Sequence, residues 1–139
     1  MKNEEVKQGI IFPFGQENVA YAEDFIGKSY LASLVNDPEL NVGVSNVTFE
    51  PGCRNNWHQH HEGFQILLIT GGEGWYQEFG QPARLLHPGD VVVVHNDVKH
   101  WHGATKDSWF SHLAITAGTP VWLEPVADEE YEKVEQGAE

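Results

Sequence analysis

Apolar and polar side chains alternate along most of the chain beyond residue 41. In residues 42–49 the even positions face one side of an extended chain and the odd positions the other, and Pro51-Gly52 ends the run. This period of two predicts a half-buried strand. The four valines at 91–94 predict a strand buried on both faces. Further strands are predicted at 64–70, 75–79, 83–87, 109–116 and 121–126, where the turns between them are rich in Gly and Pro. Short strands at this spacing indicate an all-β sandwich or barrel.

The two ends of the chain lack this alternation. A short helix is predicted from Glu17 to Phe25, with Gly27 as its stop, and an extended segment follows at 29–35. We predict that residues 1–41 form an N-terminal arm that packs on the barrel, residues 42–126, or on a partner subunit. The acidic tail, residues 127–139, is expected to be an exposed helix or a frayed end, and we assign it no function.

Composition narrows the classes of partner. The 139 residues fit one domain, and a net charge of −13 with only eight Lys and Arg disfavours binding to nucleic acid or to anionic membrane surfaces. Cys53 is the single cysteine, so no intrachain disulfide can form. No apolar run approaches the roughly 20 residues that span a bilayer, and the N-terminus does not fit a signal peptide. We therefore expect a cytoplasmic protein.

Five of the eight histidines fall into two tight groups, at 58–61 and 100–102. On a strand, His58 and His60 face the same side with Cα atoms about 6.7 Å apart, which lets two imidazoles reach one metal ion. His100 and His102 repeat the spacing on another strand. A solvated strand end also explains a single His-x-His, but two such pairs beside Trp favour a site for one divalent ion such as Mn, Fe, Zn or Ni.

The residues around both groups resemble the two motifs of the cupin family. Gly52, five residues, His58-Gln59-His60, then Gln65 and Gly72 match the first motif, except that Gln replaces its usual Glu. The stretch from Pro88-Gly89 to His100 is similar to the second. The resemblance implies a double-stranded β-helix, or jelly-roll barrel. It also implies metal ligation by His58, His60, Gln65 and His100.

Within the family, the chain resembles small cupins whose second motif ends in His-Trp-His-Gly-Ala, here residues 100–104. These include cupins related to carboxymuconolactone decarboxylases and metal-dependent cupin hydroxynitrile lyases, which also carry Gln at the acidic ligand position. The chain departs from them at His61, in a gap to Gln65 that is one residue longer, and at His95 and Asp97, which replace the usual Pro and Gly.

The Gln ligand changes the expected chemistry. Three neutral imidazoles and a neutral amide leave the +2 charge of the metal uncompensated, which favours Lewis-acid catalysis over redox chemistry. The alternative interpretation is that Gln65 is an inward polar residue bonded to water. His102 shares the strand face of His100 and is our preferred general acid or base, with His112 as the second catalytic candidate or else a core histidine.

The sequence thus predicts a metal-dependent cupin that acts on a small organic molecule as a lyase or isomerase. A metal-dependent dioxygenase and a non-catalytic ligand-binding or sensor cupin are the alternatives, because fold does not decide function. By family analogy we expect a homodimer. Exchange of the segment from Ile10 to Phe14 between subunits would explain why that segment is apolar.

Overall fold

A computed structural model describes residues 11–137, which form a curled antiparallel sheet followed by a short helix. The strands of the N-terminal half are β1 (Gln16–Glu17), β2 (Phe25–Ile26), β3 (Ser29–Val35), β4 (Gly43–Phe49), β5 (Arg54–Asn55) and β6 (His58–Gly72). Those of the C-terminal half are β7 (Gly74–Glu78), β8 (Arg84–Leu86), β9 (Val91–Val94), β10 (His100–Ala104) and β11 (Phe110–Trp122). A 3-10 turn, Ala22–Asp24, precedes β2, and the helix α1 is Asp128–Gln136.

The curl of the sheet is centred on β6, its longest strand. The strands follow the order β1-β3-β4-β11-β6-β10-β5-β2, while β9 also pairs with β6, and β7 joins β10 to β8. The first residue of β6 pairs with β10, four residues in its middle pair with β9, and β11 runs along its length. The inward side chains form an apolar core that includes Phe49, Leu67, Val92, Val94 and Phe110. The prediction of an all-β jelly-roll class is confirmed.

The predicted helix from Glu17 to Phe25 is wrong. Glu17 pairs with Tyr30, and Phe25 pairs with Asn55, so both ends of the segment belong to the sheet. Only the 3-10 turn lies between them. Pairing and the packing of Phe25 against Phe49, with ring centroids 5.8 Å apart, override the local helical preference.

The prediction that residues 91–94 are buried on both faces is also wrong. Val92 and Val94 point into the core, whereas Val91 and Val93 are 53% and 50% exposed. In the part of the chain that the structure describes, β9 pairs with β6 alone, and no helix covers its outer face. The strand therefore alternates between buried and exposed positions, and four identical side chains do not show this alternation in the sequence.

The described part of the N-terminal arm packs on its own chain. The Asn46 side-chain amide donates to the carbonyl of Pro13 at 2.9 Å, and the rings of Phe14 and Tyr30 are 4.6 Å apart. Ile10 lies outside the described residues. Exchange of the arm between subunits stays a prediction.

The C-terminal helix is docked on the sheet by one face. Tyr131 donates its hydroxyl proton to the carbonyl of Ala104 at 2.7 Å, and the Arg54 guanidinium lies 4.4 Å from the centre of the Tyr131 ring. Arg54 also donates to the carbonyl of Val126 at 2.8 Å, just before the helix. The helix thereby covers Trp75 and Trp101, both buried, and contacts the neighbouring strands β5 and β10. This helix, in the described range, is not long and apolar enough to cross a membrane.

Candidate metal centre

His58 and His100 are directly opposite each other at the beginnings of β6 and β10. Their ring centroids are 4.2 Å apart. The Nδ1–H of His58 donates to the carbonyl of Asn56 at 2.8 Å, and that of His100 donates to the carbonyl of Val98 at 2.9 Å. Because a carbonyl can only accept, each Nδ1 carries the proton and each Nε2 keeps its lone pair. Both rings are thus held in the tautomer that a metal ligand needs.

His60 lies beside this pair, with its ring centroid 5.3 Å from that of His58 and 5.4 Å from that of His100. It is buried, and neither of its ring nitrogens has a hydrogen-bond partner among the described residues. A buried imidazole without a partner is costly. A cation between the three rings would satisfy it.

Gln65 completes the arrangement. Its side-chain amide nitrogen donates to Thr116 Oγ1 at 3.1 Å, which turns Oε1 toward His100 Nε2 at 3.3 Å. Oε1 and the unprotonated Nε2 are both acceptors, so no proton joins them. Two acceptor atoms that face each other repel, and a cation between them would be bound by both. His58, His100 and Gln65 thus present unprotonated ligand atoms to a common point, and the ring of His60 lies beside them.

The extra residue between His60 and Gln65 is accommodated by a β-bulge. Along β11, Ala117 and Thr119 are two positions apart, but their partners Phe64 and His61 in β6 are three positions apart. The additional residue in β6 changes which face the following side chains occupy. His60 and Gln65, an odd number of positions apart, therefore both face inward, and both are buried.

Burial sets the protonation of these imidazoles. Desolvation lowers the pKa of His58 well below its usual value, lowers that of His60, and lowers that of His100 to about 4. All three are neutral at pH 7 even without a metal, and neutral imidazole is the form that binds one.

His102 is an alternative to His60 as a metal ligand. It shares the inner face of β10 with His100, as predicted, and the ligand atoms of His58, His100 and His102 lie within 4.8 Å of one another. Its ring centroid is 5.7 Å from that of His58 and 6.0 Å from that of His100, however, farther than the ring of His60 from either.

Asn55 gives His102 a partner that His60 lacks. The Asn55 side-chain oxygen accepts the backbone N–H of His102 at 2.9 Å, and its amide nitrogen lies 3.2 Å from the ring Nε2. Because the amide nitrogen can only donate, it favours the neutral ring, and burial also lowers the pKa of His102 well below its usual value. His102 is therefore a neutral imidazole at pH 7.

His112 faces the same interior from β11. It is fully buried, its ring centroid is 4.9 Å from that of His102, and neither ring nitrogen has a hydrogen-bond partner among the described residues. Desolvation lowers its pKa to about 4. The backbone of Leu113 opposes this lowering, so a core histidine bonded to the backbone stays the alternative to a catalytic role. The remaining histidines are exposed, and His61 pairs with Asp97 and His87 with Glu73.

A cavity of about 160 Å³ is lined by His58, His60, His102 and His112. Its walls are mostly apolar, and of the described residues that line it none is Asp, Glu, Lys or Arg. The charge of a dication there would thus have no carboxylate close by to cancel it. Most of the other lining residues were not identified from the sequence, among them Asn55, which precedes the first histidine motif, Tyr21 and Trp122. The ring of Trp122 lies 4.5 Å from that of His58.

Known proteins share this arrangement of strands and motifs. A family model described as the cupin domain matches residues 45–116. An (R)-mandelonitrile lyase from Granulicella tundricola is 48% identical over 101 residues, which cover 70% of this chain and 76% of the relative.

Among solved structures, a cupin-like protein from Thermotoga maritima is 41% identical, with a TM-score of 0.87 over 93% of this chain and 99% of its own. A predicted oxalate decarboxylase from the same organism is 18% identical, with a TM-score of 0.67 over 79% of this chain and all of its own. At that identity the likeness concerns the fold alone.

Proposed function

The chain belongs to the cupin family, and on that premise we propose that it is a metal-dependent lyase that cleaves a small α-hydroxynitrile. One observation carries the proposal. Unprotonated nitrogens of buried histidines and the Gln65 oxygen converge at the inner end of an apolar cavity, next to two further neutral histidines. Ligands and proton acceptors thus lie within reach of one small molecule.

His58, His60, Gln65 and His100 are the ligands in this proposal. A divalent ion bound to them would act as a Lewis acid toward a substrate oxygen that gains negative charge. The chain keeps that charge uncompensated because all four ligands are neutral. The Asn56 and Val98 carbonyls hold two of the rings in the required tautomer.

His102 accepts the proton of the substrate hydroxyl in the proposed reaction. As the C–O double bond forms, the bond to the nitrile carbon breaks, and its electron pair leaves with cyanide. The proton then passes to cyanide, either from His102 or through His112, so that the products are an aldehyde and hydrogen cyanide. No oxidant or reductant is consumed. Burial lowers the pKa of both rings, so both are in the neutral form that a proton acceptor needs.

The cavity favours a substrate with a small apolar or aromatic group. Phe25, Leu31, Val47 and Trp122 contribute to its walls, and about 160 Å³ holds a molecule of roughly ten non-hydrogen atoms. The relative from Granulicella tundricola is named for (R)-mandelonitrile, which has an aromatic ring, a hydroxyl and a nitrile. We take this compound as the first substrate to test.

Incubation with racemic mandelonitrile should release benzaldehyde faster than buffer does, consume one enantiomer preferentially and take up no oxygen. Benzaldehyde absorbance, chiral chromatography and an oxygen electrode measure the three quantities. Protein stripped of metal by a chelator is the control and should be inactive until Mn²⁺ is restored. Oxygen uptake with Fe(II), without cleavage of any α-hydroxynitrile tested, would instead support the dioxygenase alternative.

We also propose that the chain forms a homodimer through an outer apolar face of the sheet. Adjacent outward side chains of β9, β6, β11 and β4 are apolar and exposed or half-buried, and cross-strand pairing makes them contiguous. A two-fold interface uses the same patch twice, and an apolar patch needs no complementary charge on its partner. The face consists of Val44, Phe64, Ile66, Leu68, Val91, Val93, Leu113 and Ile115.

Val93→Glu should convert the protein from dimer to monomer, because it would place a charge within the patch that the proposed dimer buries. Light scattering during gel filtration at micromolar concentration measures the mass. Leu85→Glu is the matched control, since Leu85 is a partly exposed apolar residue on β8, outside this face. If the unaltered protein has the mass of a monomer, the dimer proposal fails.

A further inference from the structure

We propose that Asn96 is a positioning residue for the metal centre, because it holds the bulge of β6 that keeps Gln65 on the same face as His60. The inference deepens the proposed function and rests on its metal site. It concerns how this chain carries one residue more between two ligands than the cupin hydroxynitrile lyases that it resembles.

The need for such a device follows from strand geometry. Side chains of a regular strand alternate between its faces, so residues an odd number of positions apart face opposite sides. His60 and Gln65 are five positions apart. If β6 paired with β11 without the bulge and His60 still faced the interior, Gln65 would face outward. The bulge therefore determines whether the fourth ligand reaches the site.

Asn96 contacts the bulge at its centre. Its side-chain oxygen accepts the backbone N–H of Glu62 at 2.7 Å and that of Gly63 at 3.4 Å. These two amides belong to the extra turn of backbone in β6, where the ladder to β11 is interrupted. The Asn96 oxygen thus replaces hydrogen bonds that a regular strand would make.

Asp97 fastens the same turn to the flanking residues. Its backbone N–H donates to the carbonyl of His60 at 3.0 Å, and its carboxylate accepts the Nδ1–H of His61 at 3.0 Å. Four consecutive residues before and within the bulge, His60 to Gly63, are consequently bonded to one turn, about 35 positions farther along the chain. The same turn leads directly into His100.

The backbone on both sides adopts an unusual conformation. Glu62 and Asp97 have φ values of 57° and 61°, in the left-handed region that residues other than glycine seldom occupy. Such conformations persist where surrounding contacts hold them. Gly63 has no alternative, since a Cβ there would lie 2.0 Å from the carbonyl oxygen of Ala117.

The contacts join the two places where this chain departs from the motifs of its relatives. The longer gap and His61 belong to the first motif, and Asp97 belongs to the second. In space they are neighbours bonded to each other. We infer that the insertion and the altered turn compensate each other and function as one unit.

Asn96→Ala tests the proposal through Mn²⁺ binding, which requires no substrate. We expect Mn²⁺ affinity, measured by calorimetry, to fall by about 10- to 100-fold, as is typical when a group that orients a ligand is lost. The electron paramagnetic resonance spectrum of bound Mn²⁺ should change with it. Asn96→Asp keeps an acceptor oxygen and should restore most of the affinity. Asn41→Ala, on an exposed loop, is the matched control.

Deletion of Glu62 separates positioning from general stability. The deletion places Gln65 four positions after His60, so both share a face without a bulge. Asn96→Ala should then change Mn²⁺ affinity by less than about threefold. Unchanged Mn²⁺ affinity of Asn96→Ala in the full chain would overturn the proposal, as would an equal loss in the deleted chain. If the deleted chain does not fold, the contrast between Asn96→Ala and Asn96→Asp decides.

A metal-free measurement keeps this proposal distinct from the proposed function. Should the unaltered protein bind no Mn²⁺, the metal-dependent lyase is contradicted, and crystal structures of the apoprotein then decide the role of Asn96. Gln65 turned outward in Asn96→Ala would support the positioning role, and Gln65 unmoved would overturn it.

Discussion

Replacing His58 and His60 together by alanine should remove the divalent ion from a protein that otherwise carries about one per chain. The double variant loses two of the four proposed ligands, and we expect that an amide with a single histidine does not retain a divalent ion through purification. Elemental analysis of protein prepared without a metal-binding tag measures the metal content. We expect a fall from about one ion per chain to below about one tenth.

Single variants distinguish the two possible ligand sets. His60→Ala should lower metal content, whereas His102→Ala should leave it nearly unchanged, because His102 is farther from His58 and already contacts Asn55. His61→Ala is the matched control, since His61 is an adjacent exposed histidine. If His102→Ala lost the metal and His60→Ala kept it, the centre would consist of His58, His100 and His102.

Replacing His102 by glutamine should lower kcat for α-hydroxynitrile cleavage by about 10²- to 10⁴-fold without removing the metal. Glutamine keeps a polar group beside Asn55 but cannot accept and release a proton at neutral pH. Steady-state kinetics of the metal-loaded variant measure the effect. A loss confined to kcat would indicate proton transfer, and a rise in KM alone would indicate substrate binding.

His112→Phe serves as the comparison variant within the same cavity. Phenylalanine fits a position already packed against Phe49 and Phe110. A smaller loss of kcat than in His102→Gln would assign the first proton transfer to His102. A larger loss would exchange the two roles, and full activity in both variants would exclude histidine as the base.

Much of the fold could be predicted from the local pattern of apolar and polar residues. The wrong predictions concern features that depend on contacts distant in the sequence. The hairpin of 75–79 with 83–87 was predictable because Gly80 and Pro82 separate two apolar runs, and β7 and β8 pair there. The exposure of Val91 and Val93 was not, since a run of identical side chains carries no period. Whether such a strand is covered depends on what packs against its outer face, which is a long-range property.

The candidate site, too, could be predicted from the sequence only in part. Convergence of the His58 and His100 regions was predictable from two motifs that each place a histidine at the start of a strand. The inward direction of Gln65 was not predictable from periodicity, because it depends on a bulge stabilised by Asn96 from a distant turn. The contact of Asn55 with His102 likewise depends on the pairing of β5 with β10.

The docked helix α1 has a consequence for anyone who alters the end of this chain. Tyr131 and Arg54 connect it to the backbone of Ala104 and to β5, two and one residues from His102 and Asn55 respectively. Truncation before Tyr131, or a fusion that pulls the helix from the sheet, would loosen the frame of the proposed proton acceptor while leaving every ligand intact. Libraries aimed at turnover could therefore include this last helix, which does not line the cavity, as well as the cavity walls.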